Sequence, residues 1–242
     1  VSDITSNKTT RHFAGEELFW CRLVELNGFF LLSGDETKHI NQVMRHVEGD
    51  IIHTTCGDGV IQKVRIRDIS KNEITVEKIS EVLVKNRLIN FQIAIPRLKN
   101  IDKIEMVIEK LVEIGYNRFI FFESDNCVGK GFKLERWEKV AISAAKQSFN
   151  PFTPILRTAK NVDEIFKIGD TIIGFDLEAE SDYNSFVPEP KKRYTLVIGP
   201  EGGLSKRELG MFKNENLFQL TKNRLRSETA LLYSAFRIST LI

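Results

Sequence analysis

Apolar and polar positions follow two different rhythms along the 242-residue chain. From about Arg11 to Val84 the apolar residues come in short strand-like pieces, GFFLLS, DIIHTT, VIQKVRIRDI and EITVEKI, punctuated by Gly34, Gly49 and the turn CGDG. One stretch departs from this: Ile40, Val43, Met44 and Val47 fall at i, i+3, i+4 and i+7, which predicts a helix over 36–47. The first part of the chain therefore reads as a small β-barrel or sheet with one helix. Past 85–89 the period changes. FQIAIP reads as a buried strand, and Ile101, Ile104, Val107, Ile108, Leu111 and Val112 form the apolar stripe of a helix ending at Gly115. RFIFF predicts a strand, 134–148 a helix, TIIGFD and YTLVIG two strands. A helix over 205–212 with a Ser205/Glu208 capping box follows, then the strand LFQL and a last helix over 227–240. Strands alternating with helices argue a mainly parallel α/β sheet.

Composition narrows the function classes. Apolar residues make up 42% and charged residues 28%, ordinary for a soluble globular protein. No apolar run approaches the roughly 18 residues of a membrane span, and VSDITSNKTTRHF lacks the core of a signal peptide, so a cytoplasmic protein without membrane contact is expected. Cys21, Cys56 and Cys127 share no CxxC spacing, which predicts reduced thiols and neither disulfide nor zinc site. The net charge is +2, with −1 on residues 1–88 and +3 on the remainder, so any nucleic-acid surface must be local.

Candidate chemistry concentrates near the C-terminus. GPEGG (199–203) follows the apolar run YTLVI and precedes LSKRE, a strand ending in a turn whose glycines leave main chain open to a ligand. The spacing is neither GxGxxG nor a Walker loop, and a tight turn is the plain alternative. QLTKNRLRSETA (219–230) again leads from a strand through a polar loop into a helix. Two such loops over one sheet edge predict a small-molecule pocket. Ser227 reads as an N-cap and Glu228 as a complement to the helix dipole, whereas the Arg226 guanidinium at a loop mouth suits a carboxylate, phosphate or base edge. In the first part, Lys63, Arg65 and Arg67 alternate with Val64 and Ile66, a basic stripe that either touches RNA or is a solvated face. His39 and His46 lie seven apart on one helical face without an accompanying acidic or cysteine ligand set, so no metal is expected.

His39 with VMR (43–45), GD (49–50) and CGDG, KNIDKIE with EIG (113–115), ERW (135–137) with AAKQS (144–148), IGPEGGLS (198–205) and LRSETA (225–230) occur here in one order. In that combination the chain, from Arg11 onward, resembles the RsmE family, bacterial 16S ribosomal RNA methyltransferases acting on N3 of a uridine in the decoding region. The polar, Thr/Ser/Asn-rich residues 1–10 read as a flexible lead, and the resemblance implies a PUA-like β-barrel over 11–86 that binds RNA and a SPOUT methyltransferase domain over 87–242 whose end forms a deep trefoil knot. It further implies a homodimer working on 16S rRNA in the 30S subunit. S-adenosylmethionine would be the methyl donor and S-adenosylhomocysteine the product. The donor would be held by Ile198, Gly199, Pro200, Gly202 and Gly203 of one loop and by Leu220, Thr221, Leu225 and Thr229 of the other. Departures from the family's spelling fall at Thr221, Asn126 and Asn150.

Methylation at N3 needs its weakly acidic proton removed or the resulting anion stabilised. Arg226 is the candidate for stabilising the anion, with Glu201 and Glu228 as candidates for proton handling. Arg11, Arg45, Lys63, Arg65 and Arg67 are the expected phosphate contacts. Two other readings remain open: a non-catalytic RNA-binding or ribosome-assembly protein with this fold, and a SPOUT enzyme acting at another RNA position.

Overall fold

The computed structural model of the chain describes residues 16–26, 28–33, 36–70 and 73–242; Arg11 and the segment 1–10 lie outside them. The described residues form two compact units, one of those up to Lys85 together with Ala145–Thr153, the other of Asn86–Ala144 and Pro154–Ile242.

In the first unit, β1 (Leu18–Trp20), β2 (Arg22–Leu26), β3 (Phe29–Ser33), β4 (Ile51–Thr55), β5 (Val60–Ile69) and β6 (Ile74–Leu83) make a six-stranded sheet in the order β1-β4-β5-β6-β3-β2. Among these described strands only β1 and β4 pair in parallel. Phe19, Leu32, Ile52, Val64, Ile66 and Val76 close the core on one face. The other face of β4 is covered as well, because the ring of Phe149 meets His53 edge-on and the turn before β5 receives the 151–153 backbone. Gly57 and Gly59 permit this approach. A Cβ on Gly57 would lie 2.0 Å from Thr153 Oγ1, and one on Gly59 2.6 Å from the Phe152 ring.

The helix expected over 36–47 is not what forms. A single α-turn, α1 (Glu36–Lys38), runs into a π-turn over His39–Val43, and Arg45 stops it with φ 57°. The wider turn breaks the 3.6-residue spacing, so of the four apolar positions Ile40 alone is buried while Val43 and Val47 are 63% and 60% exposed.

The second unit contains β7 (Phe91–Pro96), α2 (Ile101–Ile114), β8 (Arg118–Phe122), α3 (Leu134–Gln147, whose last residues belong to the first unit), β9 (Ile155–Ala159), α4 (Val162–Phe166), β10 (Thr171–Phe175), β11 (Ser181–Asp182), β12 (Tyr194–Val197), α5 (Lys206–Leu209), β13 (Leu217–Gln219) and α6 (Ser227–Leu241). Its seven strands are all parallel, in the order β11-β13-β10-β12-β7-β8-β9. Unbroken burial of FQIAIP and YTLV is the mark of parallel strands covered on both faces. Inside this apolar layer Gln92 donates to Thr195 Oγ1 (3.2 Å), which donates to Asp170 Oδ2 (3.1 Å). These polar groups find partners only when β12 sits beside β7 in the observed register.

Helix α2 starts at Asn100, whose side chain accepts from Asp102 N–H, and stops at Gly115 with φ 114°. Helix α6 is tied down by two fully buried phenols. Tyr116 donates to the Ala235 carbonyl (2.9 Å) and Tyr183 to that of Ser234 (3.1 Å), and burial raises the pKa of both.

The helix expected over 205–212 shrinks to α5, four residues, but its capping box is present. Glu208 does more there than cap. Fully buried, it accepts from Ser205 N–H (2.8 Å), from Ser124 Oγ (2.8 Å) and from Asp125 N–H (3.0 Å), joining the loop after β12 to the loop after β8. Glu208→Gln puts an amide N–H where a donor already points, and should cost about 3 kcal/mol, the range for hydrogen bonds to a buried charge. Urea unfolding followed by circular dichroism checks this; the midpoint falls while the slope with denaturant stays constant.

Candidate active site

The connections after β10, β12 and β13 lie at the carboxyl ends of adjacent parallel strands, the edge at which open α/β sheets hold ligands. With the first turns of α2 and α6 they enclose a cavity of about 750 Å³. Ile198, Gly199, Pro200, Glu201, Gly202 and Gly203 of the first predicted loop are on its wall. From the second come Leu220, Thr221, Leu225, Arg226 and Glu228. Thr229 is exposed and not part of the wall, since successive helix residues point about 100° apart and Glu228 takes the inward direction.

The GPEGG turn is rigid because it is held from several sides. Gly203 N–H closes onto the Pro200 carbonyl (2.8 Å), and Gly203 has φ 72°. The Asn126 amide donates to the Gly202 and Gly203 carbonyls (3.3 and 3.1 Å), and Glu201 accepts from Lys99 N–H (3.1 Å). Arg207 and the Ser205 hydroxyl grip Asp125 and hold its carboxyl below the usual range. Gly199 is the tightest point: a Cβ there would lie 2.6 Å from Leu204 N and 2.7 Å from the Gly203 carbonyl carbon.

In the second loop the Thr221 hydroxyl donates to the Asn223 carbonyl (2.8 Å), and Leu220 is buried. Arg224 and Arg226 are exposed on the cavity rim, with no ion pair at either among the described residues. Ser227, expected as N-cap, is instead the buried first residue of α6. Arg226 takes the cap position with extended backbone (φ −72°, ψ 153°) and no side-chain cap bond. Glu228 is buried and pairs through Oε1 with Lys103 Nζ (2.7 Å). Burial alone would raise its pKa, but the Lys103 ammonium, its own backbone N–H and Arg226 outweigh that and hold the carboxyl below the usual range. From sequence, Lys103 and Arg224 have no role in the site, Asn126 stands only as a departure from the family's spelling, and Glu208 only as part of a capping box. Lys103 sits inside KNIDKIE and Glu208 inside a capping box, where local pattern supplies a complete explanation.

Of the basic candidates in the first unit, Arg45 is exposed at the end of the π-turn. Val64 and Ile66 are buried beneath the stripe, as alternation requires, but a bulge at Arg67 ends the alternation and both Arg65 (3.8 Å) and Arg67 pair with Glu77 on β6. Lys63, half-buried, lies opposite His53 in the register. A neutral His53 is favoured there by burial and by Lys63, against the pull of Glu16.

A family model described as RNA methyltransferase domain matches residues 85–239. Among curated relatives, Ribosomal RNA small subunit methyltransferase E of Bacillus subtilis (strain 168) is 30% identical over 229 residues, 87% of this chain and 89% of the relative. The protein of the same name from Rickettsia conorii is 26% identical over 230 residues, 91% and 93% of the two chains. Among solved structures, a probable rRNA-methyltransferase from Porphyromonas gingivalis superposes with a TM-score of 0.76 at 28% identity, over 87% of this chain and 92% of that one. A Neisseria gonorrhoeae Ribosomal RNA small subunit methyltransferase E bound to S-adenosyl methionine superposes with a TM-score of 0.79 over 93% and 98%; at 22% identity this is a likeness of fold.

The glycines of the turn separate two physical effects. Gly199→Ala drives a Cβ into backbone and should cost about 3 kcal/mol or more, whereas Gly203→Ala, with open space around it, carries only the left-handed backbone penalty of about 1–2 kcal/mol. Chemical denaturation of both variants checks the order.

Proposed function

The chain belongs to the small-subunit ribosomal RNA methyltransferase E family, and from that premise we propose that it methylates N3 of a uridine in 16S rRNA of the 30S subunit, with S-adenosylmethionine as donor. The observation that carries the reading is the bare main chain around Gly199, on the wall of a cavity large enough for a nucleoside-sized group. Backbone groups of 198–203 and of the 220–225 loop would hold the donor's polar edges, and Leu220 and Leu225 its flat apolar part. When bound, the donor supplies an electrophilic methyl sulfonium.

The protein's own work is on the acceptor. Uracil N3 becomes nucleophilic only as its proton leaves, and negative charge then spreads over the imide. The Arg226 guanidinium, free at the rim and at the positive end of α6, stabilises that charge. Glu201, fixed on Lys99 N–H, shapes the turn, and Glu228 is left as the carboxylate for handling the proton. The base must leave its stack to enter, which costs least in a loop or exposed strand.

The finer architecture is part of the proposal: a PUA-like RNA-binding domain over 11–86 and a SPOUT domain over 87–242 with a C-terminal trefoil knot. Insertion of the late strand β12 between the earlier β7 and β10, and of β13 beyond β10, supports threading of that kind. A homodimer is favoured by the apolar side chains that α6 leaves outside, above all Phe236 at 60% exposure beside Tyr233. The cytoplasm, where the ribosome is built, is the corresponding compartment.

Single-turnover methylation of 30S subunits at saturating S-adenosylmethionine, with the product nucleoside identified by mass, tests the reading. Arg226→Ala should lose about 100-fold in rate, the equivalent of about 3 kcal/mol of barrier, and Arg226→Lys should recover only part of it. A second measurement concerns the stripe. Replacing Lys63, Arg65 and Arg67 by alanine should weaken rRNA binding and flatten its salt dependence by about one unit of slope for each phosphate no longer neutralised. Glu77→Gln should strengthen binding, because phosphates no longer compete with the Glu77 carboxylate for Arg65 and Arg67. Fluorescence anisotropy across a salt series reads both.

A further inference from the structure

Lys103 stands in the first turn of α2, where the helix dipole disfavours a cation, and among the described residues of α2 it alone is on the cavity wall. Its Nζ meets Glu228 Oε1 at 2.7 Å, joining the first turns of two long helices at the cavity. The second oxygen, Oε2, is covered and has no hydrogen-bond partner among the described residues, on a side chain whose residue is only 8% exposed. An ionised oxygen buried without a donor is costly, and proteins concentrate such costs where a ligand supplies the missing group.

Resting on the methyltransferase reading, we propose that Lys103 is a positioning residue: it clamps Glu228 by one oxygen and reserves the other to accept a nitrogen-borne hydrogen from a bound molecule. Two donors have that chemistry, the imide N3–H of the target uracil and the α-ammonium of the methyl donor. The charged groups acting on Glu228 are Lys103 from α2 and Arg226 from the preceding loop. With Lys103 replaced by methionine, burial is opposed by less positive charge, the carboxyl takes up its proton at higher pH, and the acceptor is lost on the acid side.

The test uses Lys103→Met, Lys103→Arg and Glu228→Gln in the full chain, with thermal midpoints recorded for each. Single-turnover rates on 30S subunits are measured against pH, and calorimetry follows S-adenosylmethionine and its deaminated analogue. Lys103→Met should move the acid limb of the pH profile up by about one unit, a tenfold loss at pH values on that limb, and Lys103→Arg should restore the wild-type limb. If the ammonium is the donor, Glu228→Gln loses about tenfold in affinity for S-adenosylmethionine and nothing for the deaminated analogue. If the imide is the donor, both affinities hold and the loss falls on the rate. A Lys103→Met profile parallel to wild type, or a Glu228→Gln protein changed in neither affinity nor rate, overturns the proposal. Absence of any transfer by the wild-type protein would instead overturn the methyltransferase reading, and the calorimetry would still be interpretable.

Discussion

A single buried carboxylate holds the ligand-binding edge together. Glu208 belongs to a helix too short to be stable by itself, yet its two oxygens collect donors from Ser124, Asp125 and Ser205. Desolvating that charge is expensive, and it is tolerated because every donor is in place at once. The geometry of the GPEGG turn is therefore not a property of five residues. It is set by a loop some eighty positions earlier, through Glu208 and through the Asn126 amide on the Gly202 and Gly203 carbonyls.

The same economy of position governs the opposite side of the cavity. Helices α2 and α6 both begin there, so two dipole ends add to Arg226 and Lys103, and Glu228 offsets part of the field. The helix ends and the side chains of Lys103, Arg226 and Glu228 are thus arranged at one wall of the cavity by the fold itself. Preorganisation of this kind explains why the residues around the cavity are fixed by main-chain hydrogen bonds while Arg224 and Arg226, on the rim, are not.

Legibility in the sequence tracked how local each signal was. Strands β7, β8, β10, β12 and β13, helix α2 with its Gly115 stop, and the Ser205/Glu208 capping box follow from patterns within a dozen residues. The π-turn at His39–Val43 was invisible, because Val43 and Val47 have the spacing of a helical face but none of the described residues of the unit covers them. Strands β9 and β11 carry too little apolar alternation to be read: four of the five β9 residues are only partly buried or exposed, and β11 is two residues long. At the site, the two loops could be named from glycine and polar runs, but Thr229 could not be separated from Glu228 without the phase of α6. The meeting of Lys103 with Glu228 spans more than a hundred residues and leaves no periodic trace.

The strand order has a consequence for how this chain is made. β7 ends at Pro96 and β10 at Phe175, so both are made before β12 (Tyr194–Val197), which belongs between them, leaves the ribosome. During that interval each presents an unpaired backbone edge, flanked by mostly apolar side chains, to other chains in its surroundings. Gln92, awaiting Thr195, is a polar group inside that vacant edge and penalises any foreign strand that cannot satisfy it. A buried amide that selects the register of the finished fold thus also disfavours pairing of this edge with strands of other proteins.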